Sequence, residues 1–122
     1  MRVVGGLIAE SLRVGAVLDV PFVVTRVSRA DVGNIDAGQP LTWTIIDFEV
    51  AEDDVPALAA ALEGALNAEG GWYCDFRTGT ETFVVFAGRT YCYPRGDADG
   101  RAAAADYARS VGVPEEQLDW PV

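Results

Sequence analysis

Between residues 41 and 66 the apolar pattern changes period from two to 3.6, and no other feature constrains the fold as strongly. The run Leu41–Val50 alternates, with Ile46, Phe48 and Val50 on one side and Trp43, Ile45, Asp47 and Glu49 on the other, as a half-buried strand does. Directly after it, Val55, Leu58, Leu62 and Leu66 recur at helical spacing and predict a core stripe. Asp53 or Asp54 suits the N-cap, and Pro56 fits the first turn, where its missing N–H costs nothing. Gly70 and Gly71 are expected to end this helix. Its other face, Ala57, Ala60, Ala61, Gly64 and Asn67 with Glu63 as the one charge, is apolar enough to face either solvent or a second chain.

On either side of this switch lie further strand signals. Pro21 opens the β-branched run Phe22–Ala30, and Gly33, Asn34, Gly38 and Pro40 mark a long turn before Leu41. Three short strands are expected over Trp72–Arg77, Glu81–Ala87 and Arg89–Tyr93, joined through Thr78-Gly79-Thr80 and Ala87-Gly88. Asp97 or Asp99 caps a last helix whose buried stripe is expected at Ala103, Ala104, Tyr107, Ala108 and Val111. Gly112 and Pro114 stop it, and Leu118 and Trp120 are expected to dock on the body. Residues 3–18 fit a helical turn or a short strand equally well. The reading is one α+β domain over residues 1–122, with no repeat or linker. It has a mainly antiparallel sheet of about five strands, two helices on one face and the order β-β-α-β-β-β-α.

Composition narrows the chemistry. All nine basic residues are arginine, with no lysine and no histidine, against 19 acidic residues, for a net charge of −10. Lysine Schiff bases, the P-loop lysine, Ser-His-Asp triads and histidine metal sites are therefore absent from the chain's means. The charge repels nucleic-acid phosphate and anionic lipid, so no nucleic acid and no membrane is expected as partner. No apolar run is long enough to span a bilayer, no secretion signal is read at the start, and the cytoplasm is the expected location. Cys74 and Cys92 lack the spacing of a metal knuckle or a CxxC pair. Both are read as buried small side chains, reduced even if their strands are neighbours. No cofactor and no metal site is expected.

The carboxylates that could do chemistry sit on the strand face turned away from the helix. Asp47 and Glu49 alternate onto it, Asp75 and Arg77 alternate similarly in the next strand, and Arg26 or Arg29 could reach them. Trp43, Tyr73, Tyr91 and Tyr93 are aromatic candidates for the same surface. Paired carboxylates suit acid–base work because one negative charge raises the pKa of its neighbour, and they also suit a hard divalent cation. The competing reading is a solvated sheet face laced with ion pairs. Pro94-Arg95-Gly96-Asp97 precedes the last helix, where Arg95 would suit an anion and Asp97 would suit the cap.

Three stretches carry a resemblance: Gly71-Trp72-Tyr73 leading to Asp75-Phe76, the run Phe83–Arg89, and the ending Gly112-Val113-Pro114-Glu115-Glu116-Gln117-Leu118-Asp119-Trp120. Over roughly residues 41–122 the chain resembles a family of short, uncharacterised prokaryotic proteins that end in Gly-(Ile/Val)-Pro-Glu-x-Gln-Leu-Asp-(Phe/Trp). The resemblance implies a small cytoplasmic α+β protein and brings no activity, cofactor or catalytic residue with it. The expectation is a non-enzymatic interaction module that self-associates as a homodimer or binds a protein partner. The alternative is a small carboxylate-based enzyme, or a divalent-cation or small-molecule binder, using Asp47, Glu49, Asp75, Arg77, Arg26, Trp43 and Tyr91.

Overall fold

A computed structural model describes residues 2–32 and 39–122. The expected turn residues Gly33, Asn34 and Gly38 lie outside the described residues. Six strands form one antiparallel sheet: β1 (Arg2–Ile8), β2 (Val23–Asp31), β3 (Thr42–Ala51), β4 (Cys74–Arg77), β5 (Glu81–Phe86) and β6 (Arg89–Pro94). Their spatial order is β2-β3-β1-β4-β5-β6. Two helices, α1 (Val55–Ala65) and α2 (Ala98–Ser110), complete an α+β architecture.

The strand beyond the expected five is β1, and it lies inside the sheet. It pairs with β3 from Arg2↔Ala51 to Ile8↔Ile45 and meets β4 through Gly5↔Phe76. Two adjacent glycines weaken the strand signal of Val3 and Leu7 because glycine has low β-propensity. Gly5 is needed there for a packing reason. A Cβ built on it would fall 2.6 Å from Cζ of Phe48, whose ring lies across the strand.

Cross-strand Cα partners project to the same face of a ladder, so the register assigns the two faces. On the first, Leu58 and Leu62 of α1 bury against Val3, Leu7, Phe48, Val50, Phe76 and Val85. Each of those leucines contributes about 1.5–3 kcal/mol by leaving water. On the second, Ala104, Ala105 and Ala108 of α2 pack with Val84, Phe86, Tyr93, Leu118 and Trp120. Val84 and Val85 are successive residues of β5 and point oppositely. The helices therefore cover opposite faces, which corrects the expected placement of both on one. The uninterrupted apolar run Phe83–Phe86 of β5 is what a strand buried on both faces requires.

The helix ends also differ in detail. α1 stops at Ala65 rather than at Gly70-Gly71, because Leu66 turns extended and forms a bridge with Leu12, while Asn67 N–H donates to Ser11 O at 2.8 Å. Its core stripe Val55, Leu58, Leu62 and Leu66 is buried, and Ala57, Ala60 and Gly64 are exposed. In α2, Asp97 is the cap: its carboxylate accepts from Asp99 N–H at 3.1 Å and Gly100 N–H at 3.2 Å. The buried residues of α2 are Ala104, Ala105 and Ala108, with Ala103 exposed.

After α2 the chain returns across the sheet as expected. Trp120 is buried with its ring centroid 5.0 Å from that of Tyr73. Arg101 holds this segment by donating to Leu118 O at 2.8 Å and Trp120 O at 3.1 Å. Cys74 is buried opposite Val85, whereas Cys92 sits opposite Phe83 and is exposed, so β5 separates the two thiols and both are free. The expected burial therefore holds for Cys74 alone.

Candidate functional site

The second sheet face is only half covered. α2 and the C-terminal segment lie over β4, β5 and β6. On the β2-β3-β1 side, Arg26, Asp47 and Gly6 stand in register across three strands, and Val23, Glu49 and Val4 form the next row. Asp47 and Glu49 thus share a face, and Arg26 stands directly opposite Asp47. A Cβ on Gly6 would meet Asp47 Oδ1 at 3.4 Å, so the missing side chain leaves Asp47 room over β1.

Where the open half meets the C-terminal segment there is a cleft of about 220 Å³. Its lining includes Gly6, Trp43, Tyr73, Asp75, Gln117 and Asp119. Trp43 and Trp72 pack at one side with ring centroids 5.6 Å apart and ring planes tilted by 58°. The indole Nε1 of Trp43 is shielded from solvent and finds no acceptor among the described residues. At the rim, Gln39 Nε2 donates to Gly70 O at 2.6 Å, and Gln117 Nε2 donates to Gln39 Oε1 at 3.0 Å. This amide pair ties the C-terminal segment to the turn that leads into β4.

Electrostatics set Asp75 apart. Burial, together with the like charge of Asp119, pushes its carboxyl up to about 6, despite backbone hydrogen bonding and the nearby Arg77. Tyr73 OH donates to Asp119 Oδ1 at 2.9 Å and also to Gln117 O. Burial and that carboxylate hold the phenol far above its usual range, so it stays protonated and acts as a donor. Cys74, whose Sγ lies 3.4 Å from Gly6 O, is likewise kept a thiol, chiefly by burial.

The expected site residues therefore divide among four places. Trp43 and Asp75 line the cleft. Arg26, Asp47 and Glu49 lie beside it on the open sheet. Arg77 sends Nη2 to Val122 O at 3.2 Å and lines a separate cavity with Arg2 and Arg95. Tyr91 lies beneath α2, its ring centroid 5.5 Å from Tyr107 and 5.0 Å from the Arg89 guanidinium. Tyr91 thus has no part in the cleft, a correction that follows from the second helix covering this face. Asp47, Glu49 and Asp75 do not gather into a cation site: among the described residues no group of three or more acidic or cysteine side chains is placed to hold a metal ion.

Gln117 and Asp119 belong to the cleft although neither strand alternation nor helix periodicity marks them. The available signal was the expected docking of Leu118 and Trp120, which carries the residues between and beside them onto the sheet. Among the described residues no helix is long and apolar enough to cross a membrane. No protein-family model, no curated protein and no solved structure matches the chain.

Proposed function

We propose that the protein is a non-enzymatic interaction module that self-associates through β2, working in the cytoplasm. The carrying observation is that β2 runs nine residues along one edge of the sheet without burying a single side chain. Val23, Val24 and Val27 are 49%, 49% and 60% exposed. A long edge strand with exposed β-branched side chains is a template for strand addition unless charge, proline or a cover blocks it.

The occupant we favour is a second copy of the chain. An antiparallel pairing of β2 with itself about Val27 sets Val27 beside its twin, Arg26 opposite Ser28 and Arg29 opposite Thr25. No two like charges then face each other. β2 also holds two arginines against one aspartate in a chain of net charge −10, which makes it a locally basic strip on an acidic body. The resemblance of Gly112–Trp120 to a prokaryotic family motif belongs to the same proposal and supplies no activity.

Sedimentation equilibrium across a concentration series tests this reading. The wild-type chain should show a concentration-dependent dimer, and Val27→Lys should sediment as a monomer with an unchanged circular dichroism spectrum. A wild-type monomer at every concentration, or a dimer indifferent to Val27→Lys and to a Thr25→Pro edge variant, overturns it.

The cleft supports a second reading as a small-molecule site. Asp75, titrating at about 6, could give or take a proton near neutral pH, and the Trp43 indole is a shielded donor without a partner among the described residues. Saturable quenching of tryptophan fluorescence by a ligand, lost in Asp75→Asn, would favour it.

A further inference from the structure

Arg95 does not serve an anion at the start of α2, because Asp97 already occupies that cap. Arg95 turns instead toward the β4–β5 hairpin, its Nη1 donating to Thr78 O at 3.4 Å and its backbone N–H to Thr80 O at 2.9 Å. There it meets Arg77 from the end of β4 and Arg2 from the start of β1. These three arginines, with Val3, Thr78 and Gly79, line a cavity of about 230 Å³.

Three of the chain's nine positive charges thus converge on one cavity whose lining contains no carboxylate, in a chain with 19 acidic residues. Arg77 Nη2 donates to Val122 O at 3.2 Å and Arg95 Nη1 to Thr78 O, but neither meets an acidic side chain: among the described residues, ion pairs to acidic side chains are confined to Arg109 with Asp106 and Glu115. Arg77 Nε is shielded from solvent and has no acceptor among the described residues. Gly79 leaves open space where a side chain would stand, with no atom within 4 Å of a Cβ built there. Gathering like charges is unfavourable, and a bound anion removes that cost while satisfying the unpaired donor.

We propose that this cavity binds the phosphoryl group of a small phosphorylated molecule, with Arg2, Arg77 and Arg95 as its ligands. Guanidinium is planar and offers paired N–H donors that match phosphate oxygens, and three of them suit a dianion better than a carboxylate with one charge. The cavity shares no lining residue with the Asp75 cleft and uses no residue of β2, so a negative result here leaves self-association and ligand binding in the cleft untouched.

Inorganic phosphate is the probe, titrated into the full chain at constant ionic strength and followed by amide chemical shifts. The expected result is saturable binding with shifts centred on Thr78, Gly79 and Arg95, weakened at least tenfold by Arg95→Gln and by Arg2→Gln. Both side chains are exposed, so neither change should disturb folding. Arg109→Gln removes the same charge at the far end of α2 and should leave the affinity unchanged. Three results overturn the proposal: no saturation, equal weakening by Arg109→Gln, or acetate binding as tightly as phosphate.

Discussion

The Tyr73 hydroxyl lies 2.9 Å from Asp119 Oδ1 and links β4's leading edge to the last residues of the chain. One phenolic proton is shared between that carboxylate and the carbonyl of Gln117. The contact holds the C-terminal segment over the sheet and places the charge of Asp119 close enough to perturb Asp75.

Asp75 makes stability depend on pH in a specific direction. Its folded pKa is raised from 3.8 to about 6, so the folded state binds the proton more tightly than the unfolded state between those values. Stability therefore falls as pH rises through that window, by an amount on the order of 2–3 kcal/mol. Asp75→Asn should match the wild type at pH 4 and exceed it by roughly 5–10 °C in Tm at pH 7. Parallel Tm–pH curves for the two proteins would contradict this.

Glu10 acts in the opposite sense. Burial tends to raise its pKa, but donation from Thr44 N–H at 2.6 Å and Thr44 Oγ1 at 2.8 Å brings it below 4.5. Its contribution is present above that value and lost as pH falls below it. The carboxylate is largely solvated, so Glu10→Gln should cost about 1 kcal/mol or less at pH 7, read from urea midpoints at unchanged slope.

Trp120 anchors the tail between Tyr73 and the Arg101 guanidinium, which lies 5.3 Å from its ring. Trp120→Ala should cost about 3–5 kcal/mol in chemical denaturation. It should also release Asp119 and return the Asp75 pKa toward the ordinary carboxylate range, a shift that carboxyl carbon NMR would detect. Loss of stability with Asp75 still titrating at about 6 would show that the tail does not set the cleft's electrostatics.

Gly5→Ala forces a methyl into the Phe48 ring and should cost about 1–3 kcal/mol. Trimming the ring with Phe48→Leu should recover part of that cost when the two changes are combined. Strict additivity in the double-mutant cycle would show that the two positions are uncoupled.

Much of the fold is legible where a local pattern determines it. The alternation through Ile46, Phe48 and Val50 and the stripe through Val55, Leu58 and Leu62 are repeated burial choices that any partner surface would enforce. β1 is harder to read because Gly5 and Gly6 answer to neighbours on other strands, Phe48 and Asp47, rather than to their own segment. Helix periodicity says that α2 is buried but not on which face of the sheet it lands. The cleft was half legible: Trp43 and Asp75 follow from strand alternation. Asp119 arrives by a chain return spanning more than forty residues, which no short window contains.

β1 sits at the middle of the sheet, and its register with β4 is defined at Gly5↔Phe76. The sheet is thus two three-stranded halves that meet at this seam: β4-β5-β6 is a meander of sequence neighbours, whereas in β2-β3-β1 the chain leaves β1, crosses to the edge as β2 and returns as β3 to pair with both. The seam closes a loop of roughly seventy residues, so its entropy cost falls late, after the inexpensive local hairpins. On this topology the β2-β3 hairpin and the β4-β5-β6 meander are expected to form before β1 joins the two halves across Gly5 and Phe76.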